Sequence, residues 1–252
     1  MSLRLLLLAG TTEARQVARA LAGMPEVAAT ASLAGTTARP ADLGLPTRVG
    51  GFGGDAGFAD YLARHRVQAV MVATHPFAHR IAARNARLCR QNGVAHARLL
   101  RPAWQAGPGD RWTEVASEAE VAAQVPEGAR VFMATGPEHL DAYTGMDRHH
   151  VICRRIDPSP APFPWPRGDY VVGRPPFTRD AEIALFRRFR VDLLVTKNAG
   201  GAAGRAKLEA ARALGLPVVM VARPPQPEGR VLASVTQALD WIREQTWTNA
   251  SS

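Results

Sequence analysis

Cysteine is scarce in this chain: among 252 residues there are two, Cys89 and Cys153. That is too few for a disulfide framework or a cysteine-based metal site, so no metal is expected, and the usage fits a reducing cytoplasm. Long apolar runs are missing as well. None approaches the ~20 residues of a membrane span, so no membrane partner is expected. The run Leu3 to Ala9 is too short for a signal peptide and reads as a first strand. Lysine is nearly absent, since Lys197 and Lys207 stand among 31 basic residues of which the other 29 are Arg. Acid is in deficit: 22 Asp plus Glu leave a formal net charge of +9. A basic surface favours an anionic partner. The basic residues are scattered, and no nucleic-acid motif accompanies them. That turns the expectation from nucleic acid toward a polyanionic small molecule.

What the chain does have is a hydrophobic content of 46%, enough to bury a substantial core in one large or two small domains. Apolar strand patterns alternate with helical ones from end to end, which predicts an α/β fold with parallel sheet. Strands are expected near 3–9, 27–33, 47–49, 69–73 and 97–100, then near 130–134, 149–153, 170–172, 193–196 and 218–221. Helices are expected near 13–22, 56–65 and 78–92, then near 118–125, 138–143, 179–189, 203–214 and 234–244. Arg101 to Gly109, with Pro102, Gly107 and Pro108, reads as a crossing between domains. The expected organisation is two Rossmann-like, doubly wound domains, 1–101 and 102–252, facing a central cleft. Asp157 to Arg167 holds five prolines and reads as a loop that could lie over that cleft.

The first turn carries the most information. A buried strand ends at Gly10 and opens through Thr11-Thr12-Glu13-Ala14-Arg15 into an amphipathic helix, which puts backbone N–H groups and the positive helix end where a phosphate can sit. Only one glycine of a G-x-G-x-x-G pattern is present. Thr11 and Thr12 offer hydroxyls besides, and Arg15 can reach back toward an anion. An ordinary βα turn with a Thr N-cap fits the same residues.

Ligands of open α/β sheets collect beyond the carboxyl ends of strands. Four further ends stand out: Thr74-His75-Pro76-Phe77-Ala78, Thr135-Gly136-Pro137, Lys197-Asn198-Ala199-Gly200-Gly201 and Arg223-Pro224-Pro225. Lys197 is conspicuous in an Arg-rich chain, and a strand-end ammonium followed by Asn and a Gly-Gly turn can surround a carboxylate or phosphate with donors. His75 is placed to donate to a ligand or deliver a proton. At the second strand end of the first domain stand Ser32, Thr36, Thr37 and Arg39, and no acid occurs between Val27 and Pro40. Hydroxyls plus Arg39 suit a 2′-phosphate, which favours NADPH over NADH.

Taken together, Gly10-Thr11-Thr12-Glu13-Ala14-Arg15, Ala73-Thr74-His75-Pro76-Phe77-Ala78, Thr135-Gly136 and Thr196-Lys197-Asn198-Ala199-Gly200-Gly201 through Arg223-Pro224 resemble the precorrin-6A reductase family of cobalamin biosynthesis. The resemblance spans nearly the whole chain. Family members usually carry Ser where this chain has Ala199, and often Tyr where it has Phe77. The resemblance implies NADPH-dependent reduction of one double bond in a polycarboxylate tetrapyrrole, between two Rossmann-like domains, and leaves room for transient contact with neighbouring pathway enzymes. It also accounts for the charge, because a macrocycle bearing many acetate and propionate arms needs a basic site. On this reading Gly10, Thr11, Thr12, Arg15, Ser32, Thr36, Arg39, Thr74, Pro76 and Phe77 hold the cofactor. Thr135, Gly136, Lys197, Asn198, Gly200, Gly201 and Arg223 hold the substrate, with Lys197 and His75 the candidates for proton delivery. The residues alone also admit another NADPH-dependent reductase or epimerase, or a nonenzymatic nucleotide-sensing module.

Overall fold

A computed structural model describes residues 2–35 and 42–250, with side chains up to Trp247. Thr36 and Arg39 of the expected 2′-phosphate site, and Thr37 beside them, lie outside the described residues. The chain forms two compact units, Met1–Pro102 together with Pro225–Ser252, and Ala103–Pro224.

The first unit is a six-stranded sheet built on β1 (Leu3–Ala9), β2 (Val27–Leu33), β3 (Thr47–Val49), β4 (Ala69–Ala73) and β5 (Ala95–Leu99), with β12 (Arg230–Leu232) at its edge. The strand order is β12-β5-β4-β1-β2-β3 and every pairing is parallel. Alternate residues of β1 face opposite sides, so an unbroken apolar run fills two cores. Leu5 and Leu7 pack with α1 (Thr12–Leu21) and α6 (Val235–Ala250), while Leu6 and Leu8 pack with α2 (Gly54–Arg64) and α3 (His79–Gln91).

The second unit repeats the plan with β6 (Trp112–Val115), β7 (Arg130–Met133), β8 (His150–Arg155), β9 (Gly168–Val172), β10 (Leu193–Lys197) and β11 (Val218–Val221). Their order is β6-β11-β10-β7-β8-β9, again all parallel. Phe186 of α4 (Arg179–Arg188) and Leu208 and Ala211 of α5 (Ala206–Leu214) bury Phe132, Ile152, Leu194 and Met220.

A single division at 101/102 was expected; the two units instead divide twice, after Pro102 and after Pro224. After Pro224 the chain returns to the first unit, where β12 pairs with β5 and α6 packs beside α1. β6, which follows the first crossing, adds to the far edge of the second sheet. The first sheet thus takes its last edge strand from beyond the second unit, whose own sheet is continuous in sequence. Two expected helices are 3₁₀ turns instead. Residues 118–125 form Glu118–Glu120 and Ala122–Gln124, because Val125 precedes Pro126 and is extended at φ −99°, ψ 120°. Residues 138–143 shrink to Leu140–Ala142, with buried Leu140 and Tyr143 three residues apart on one side.

Candidate functional site

In the first unit the parallel register sets Ala9 beside Ala73, which brings the ends of β1 and β4 together. A side chain at Gly10 would stand 3.5 Å from the Thr74 Cα and 3.8 Å from the His75 amide nitrogen. These are ordinary contact distances, so it is the parallel register that brings the two expected segments, Gly10 to Arg15 and Thr74 to Phe77, to the same end of the sheet. The Thr11 hydroxyl is committed: it accepts from the Ala14 N–H at 3.1 Å and donates to the Ala73 carbonyl at 3.1 Å. That makes Thr11 the N-cap of α1 and the staple between β1 and β4, rather than a free hydroxyl for a ligand. The N–H groups of Thr12 and Glu13 remain at the helix mouth with its partial positive charge. Arg15 reaches back one turn, donating from Nη2 to the Thr12 hydroxyl at 3.0 Å.

Glu13 would repel an anion at this mouth, but Arg101 meets its carboxylate at 2.7 Å, with both side chains largely shielded. Arg101 was legible only as part of a crossing segment. Beside the turn, the Thr74 hydroxyl is buried with no hydrogen-bond partner, a polar group of the kind a ligand can satisfy. The His75 Nδ1 accepts from the Phe77 N–H at 3.3 Å, which leaves Nε2 as the protonated nitrogen, and the His75 and Phe77 rings lie 5.7 Å apart.

At the end of β2 the buried Ser32 hydroxyl accepts from Arg48 Nη1 at 2.8 Å. Arg48 also donates to the carbonyls of Gly50 and Gly51 and lies over the Phe52 ring, 3.8 Å from its centroid. Sequence reasoning missed this arginine, because β3 is short and its pairing to β2 is a tertiary fact.

In the second unit Lys197 ends β10 and its ammonium meets Glu118 Oε1 at 2.9 Å, with the lysine side chain 12% and the glutamate 25% exposed. Glu118 was expected only as a helix residue. Burial opposes its charge, but the Lys197 hydrogen bond, its own backbone N–H and the nearby charges of Lys197 and His139 outweigh this and hold its carboxyl below the usual range. Thr135 and Tyr143 carry buried hydroxyls that face each other without closing a well-formed hydrogen bond. Burial pushes the Tyr143 phenol far up, with the Glu118 charge adding to it. Gly136 follows at φ +82°, a left-handed turn where a side chain would run into the Glu138 carboxylate.

The rest of the expected substrate set turns inward. Asn198 is 5% exposed; its side-chain oxygen accepts from the Trp104 N–H at 2.8 Å and its amide donates to the Trp104 carbonyl at 3.0 Å. The Trp104 indole donates to the Gly201 carbonyl at 2.7 Å, and Arg223 donates to the carbonyls of Asn198 and Ala199 at 2.8 and 2.9 Å. These contacts use side chains expected to meet a ligand in order to hold the turn that carries Lys197. A buried polar side chain is stable only when so paired. Cys89 and Cys153 are buried in different units, unpaired, and burial pushes both thiols up to about 12. Among the described residues no group of three or more His, Cys, Asp or Glu is placed to hold a metal ion. Nor, among them, is any helix long and apolar enough to cross a membrane.

Two doubly wound parallel sheets, each presenting polar side chains at its strand ends, define a two-unit Rossmann-like α/β protein. Residues 4–243 match the family described as precorrin-6x reductase CbiJ/CobK, and the chain belongs to that family. It is 43% identical over 242 residues to the precorrin-6A reductase of Rhodobacter capsulatus, covering 96% of each chain. To the precorrin-6A reductase of Rhodococcus erythropolis it is 41% identical, covering 95% of this chain and 97% of the relative. A solved structure of CobK precorrin-6A reductase matches with a TM-score of 0.92 at 43% identity, over 97% of both chains. The chain is an oxidoreductase of a cobalamin-biosynthesis family.

Proposed function

We propose that this chain reduces one double bond of precorrin-6A with NADPH, giving a precorrin-6B type product. Family membership along residues 4–243, with relatives above 40% identity over nearly their full length, carries the reading. NADPH, when bound, supplies a hydride from its nicotinamide ring.

The first unit suits that cofactor. The turn at Gly10, the N–H groups of Thr12 and Glu13, and Arg15 form a mouth for the diphosphate, with Glu13 neutralised by Arg101. Ser32 with Arg48 already on it, and Thr36 and Arg39 beyond, supply hydroxyls and cations for the 2′-phosphate. Thr74, His75, Pro76 and Phe77 line the nicotinamide end, where the Thr74 hydroxyl needs a partner and the His75 proton sits on Nε2.

The second unit suits the macrocycle. Lys197 provides the ammonium, Thr135 and Gly136 follow the neighbouring strand β7 and Gly200 the same turn, while Asn198, Gly201 and Arg223 hold that turn in place. Holding reacting carbons in register and keeping water out is most of what such a reduction asks of the protein. The polycarboxylate substrate accounts for the net charge of +9. Mixing the protein anaerobically with NADPH and precorrin-6A should change the macrocycle absorbance in step with NADPH loss. NADPH that stays intact with this substrate overturns the reading.

A further inference from the structure

Lys197 and Glu118 come from separate elements, the end of β10 and the 3₁₀ turn Glu118–Glu120 that follows β6. Exposed ion pairs between flexible side chains contribute little. This pair is mostly shielded and closes at 2.9 Å, so its chief effect is on direction. A lysine ammonium sits on a four-carbon stem with many rotamers. A carboxylate that takes one N–H bond fixes where the others point.

The surroundings keep Glu118 in that task. Lys197 faces it from β10, His139 acts on it from the segment after β7, and the Tyr143 phenol lies close enough to feel its charge. With its carboxyl held below the ordinary range, Glu118 stays charged across neutral and mildly acidic pH, and loses that charge only as pH falls through its depressed value. A second carboxylate, from the substrate, would have to share an ammonium that Glu118 already neutralises, on a side chain that is only 12% exposed. That arrangement favours a positioned proton donor over a carboxylate clamp.

We propose that Glu118 is the positioning residue of the reduction: its carboxylate aims the Lys197 ammonium at the ring carbon next to the one that is reduced. One carbon of the double bond takes up hydride. At its neighbour a new C–H bond forms as an Nζ–H bond of Lys197 breaks, leaving a neutral amine that regains its proton from water. Glu118 remains a carboxylate throughout, and the product carries one hydride and one proton more than the substrate. The inference rests on the substrate-side role of Lys197 given above.

The test is Glu118→Gln, with Glu118→Asp beside it. With the charge gone, kcat should fall about tenfold or more, while the KM values for macrocycle and NADPH stay within about twofold. The solvent deuterium isotope effect on kcat should rise and the effect of 4-deuterated NADPH should shrink, because proton delivery becomes slow relative to hydride transfer. Glu118→Asp, which keeps the charge with a shorter reach, should recover part of the rate; if the Gln variant does not fold, the Asp variant carries the same isotope comparison. Product binding by fluorescence should match the unmodified protein in both. An unchanged kcat, or a raised macrocycle KM with kcat and isotope effects intact, overturns the proposal. Full turnover in Lys197→Met would instead overturn the role of the lysine itself, and an unmodified protein that does not oxidise NADPH with precorrin-6A would overturn the function.

Discussion

The turn after β1 and the turn after β10 both lead a buried parallel strand toward a helix, yet they are held in different ways. After β1 the helix begins within two residues, and one side chain, Thr11, caps α1 and ties it to β4. What the turn then presents is mostly backbone N–H and helix dipole. After β10 the chain wanders before α5, and four side chains hold it: Asn198 and Trp104 to each other's neighbourhood, Arg223 to two carbonyls, Glu118 to Lys197. Recognition by backbone needs little scaffolding, since the helix supplies the geometry. A flexible side chain that must point one way needs neighbours to fix it.

The sharpest way to break the comparison is Lys197→Met, which keeps the stem and removes the charge. It should cost about 100-fold or more in kcat with NADPH affinity unchanged, measured by steady-state kinetics with each substrate varied. A selective loss of NADPH affinity would put this lysine on the cofactor side. Next comes Asn198→Ala, which leaves the buried N–H and carbonyl of Trp104 unpaired. A loss of about 2 to 4 kcal/mol is expected in urea unfolding followed by tryptophan fluorescence. Arg39→Ala should weaken NADPH by about 1.5 to 3 kcal/mol and hardly touch NADH, read from the two dissociation constants; an unchanged preference would leave Arg48 and Ser32 to carry the selection. The smallest effect is Thr11→Ala, at about 1 kcal/mol of stability for a lost N-cap. NADPH binding should persist there, because the N–H groups of Thr12 and Glu13 are untouched; a collapse of affinity would mean the hydroxyl itself meets the cofactor.

The same contrast decides what could be read from the sequence. β4 and β11 are visible because every residue is buried and the apolar run is unbroken, and β1, β2 and β10 because mostly buried small or apolar residues dominate them. β6 and β12 are not: Trp112–Val115 and Arg230–Leu232 are short edge strands with only their last residues buried. An edge strand also carries no mark of which sheet it joins, and so the return of residues 225–252 to the first unit was hidden. Gly10, Thr12 and Arg15 could be singled out because they follow one another along one βα turn, and Thr74 because it directly follows the apolar run of β4. Lys197 stood out by rarity. Its partner Glu118, the Arg101 that covers Glu13, and the Arg48 on Ser32 depend on contacts across the sheet that local spacing does not encode. For the same reason Asn198 and Arg223 looked like ligand donors, since the backbone groups that occupy them lie far along the chain or across a turn.

The late return of β12 to the first sheet has a consequence for synthesis. β5 leaves the ribosome long before β12, its partner, whose pairing sets Ala97 beside Arg230. Until then one side of β5 offers open N–H and carbonyl groups, the kind of edge on which other chains can add. The unit that holds the first turn is therefore completed last, by residues made after the whole of the second unit. No single cut separates the two: a fragment ending at Pro102 lacks both β12 and α6, and a fragment beginning there carries an orphaned strand and helix whose sheet has been left behind.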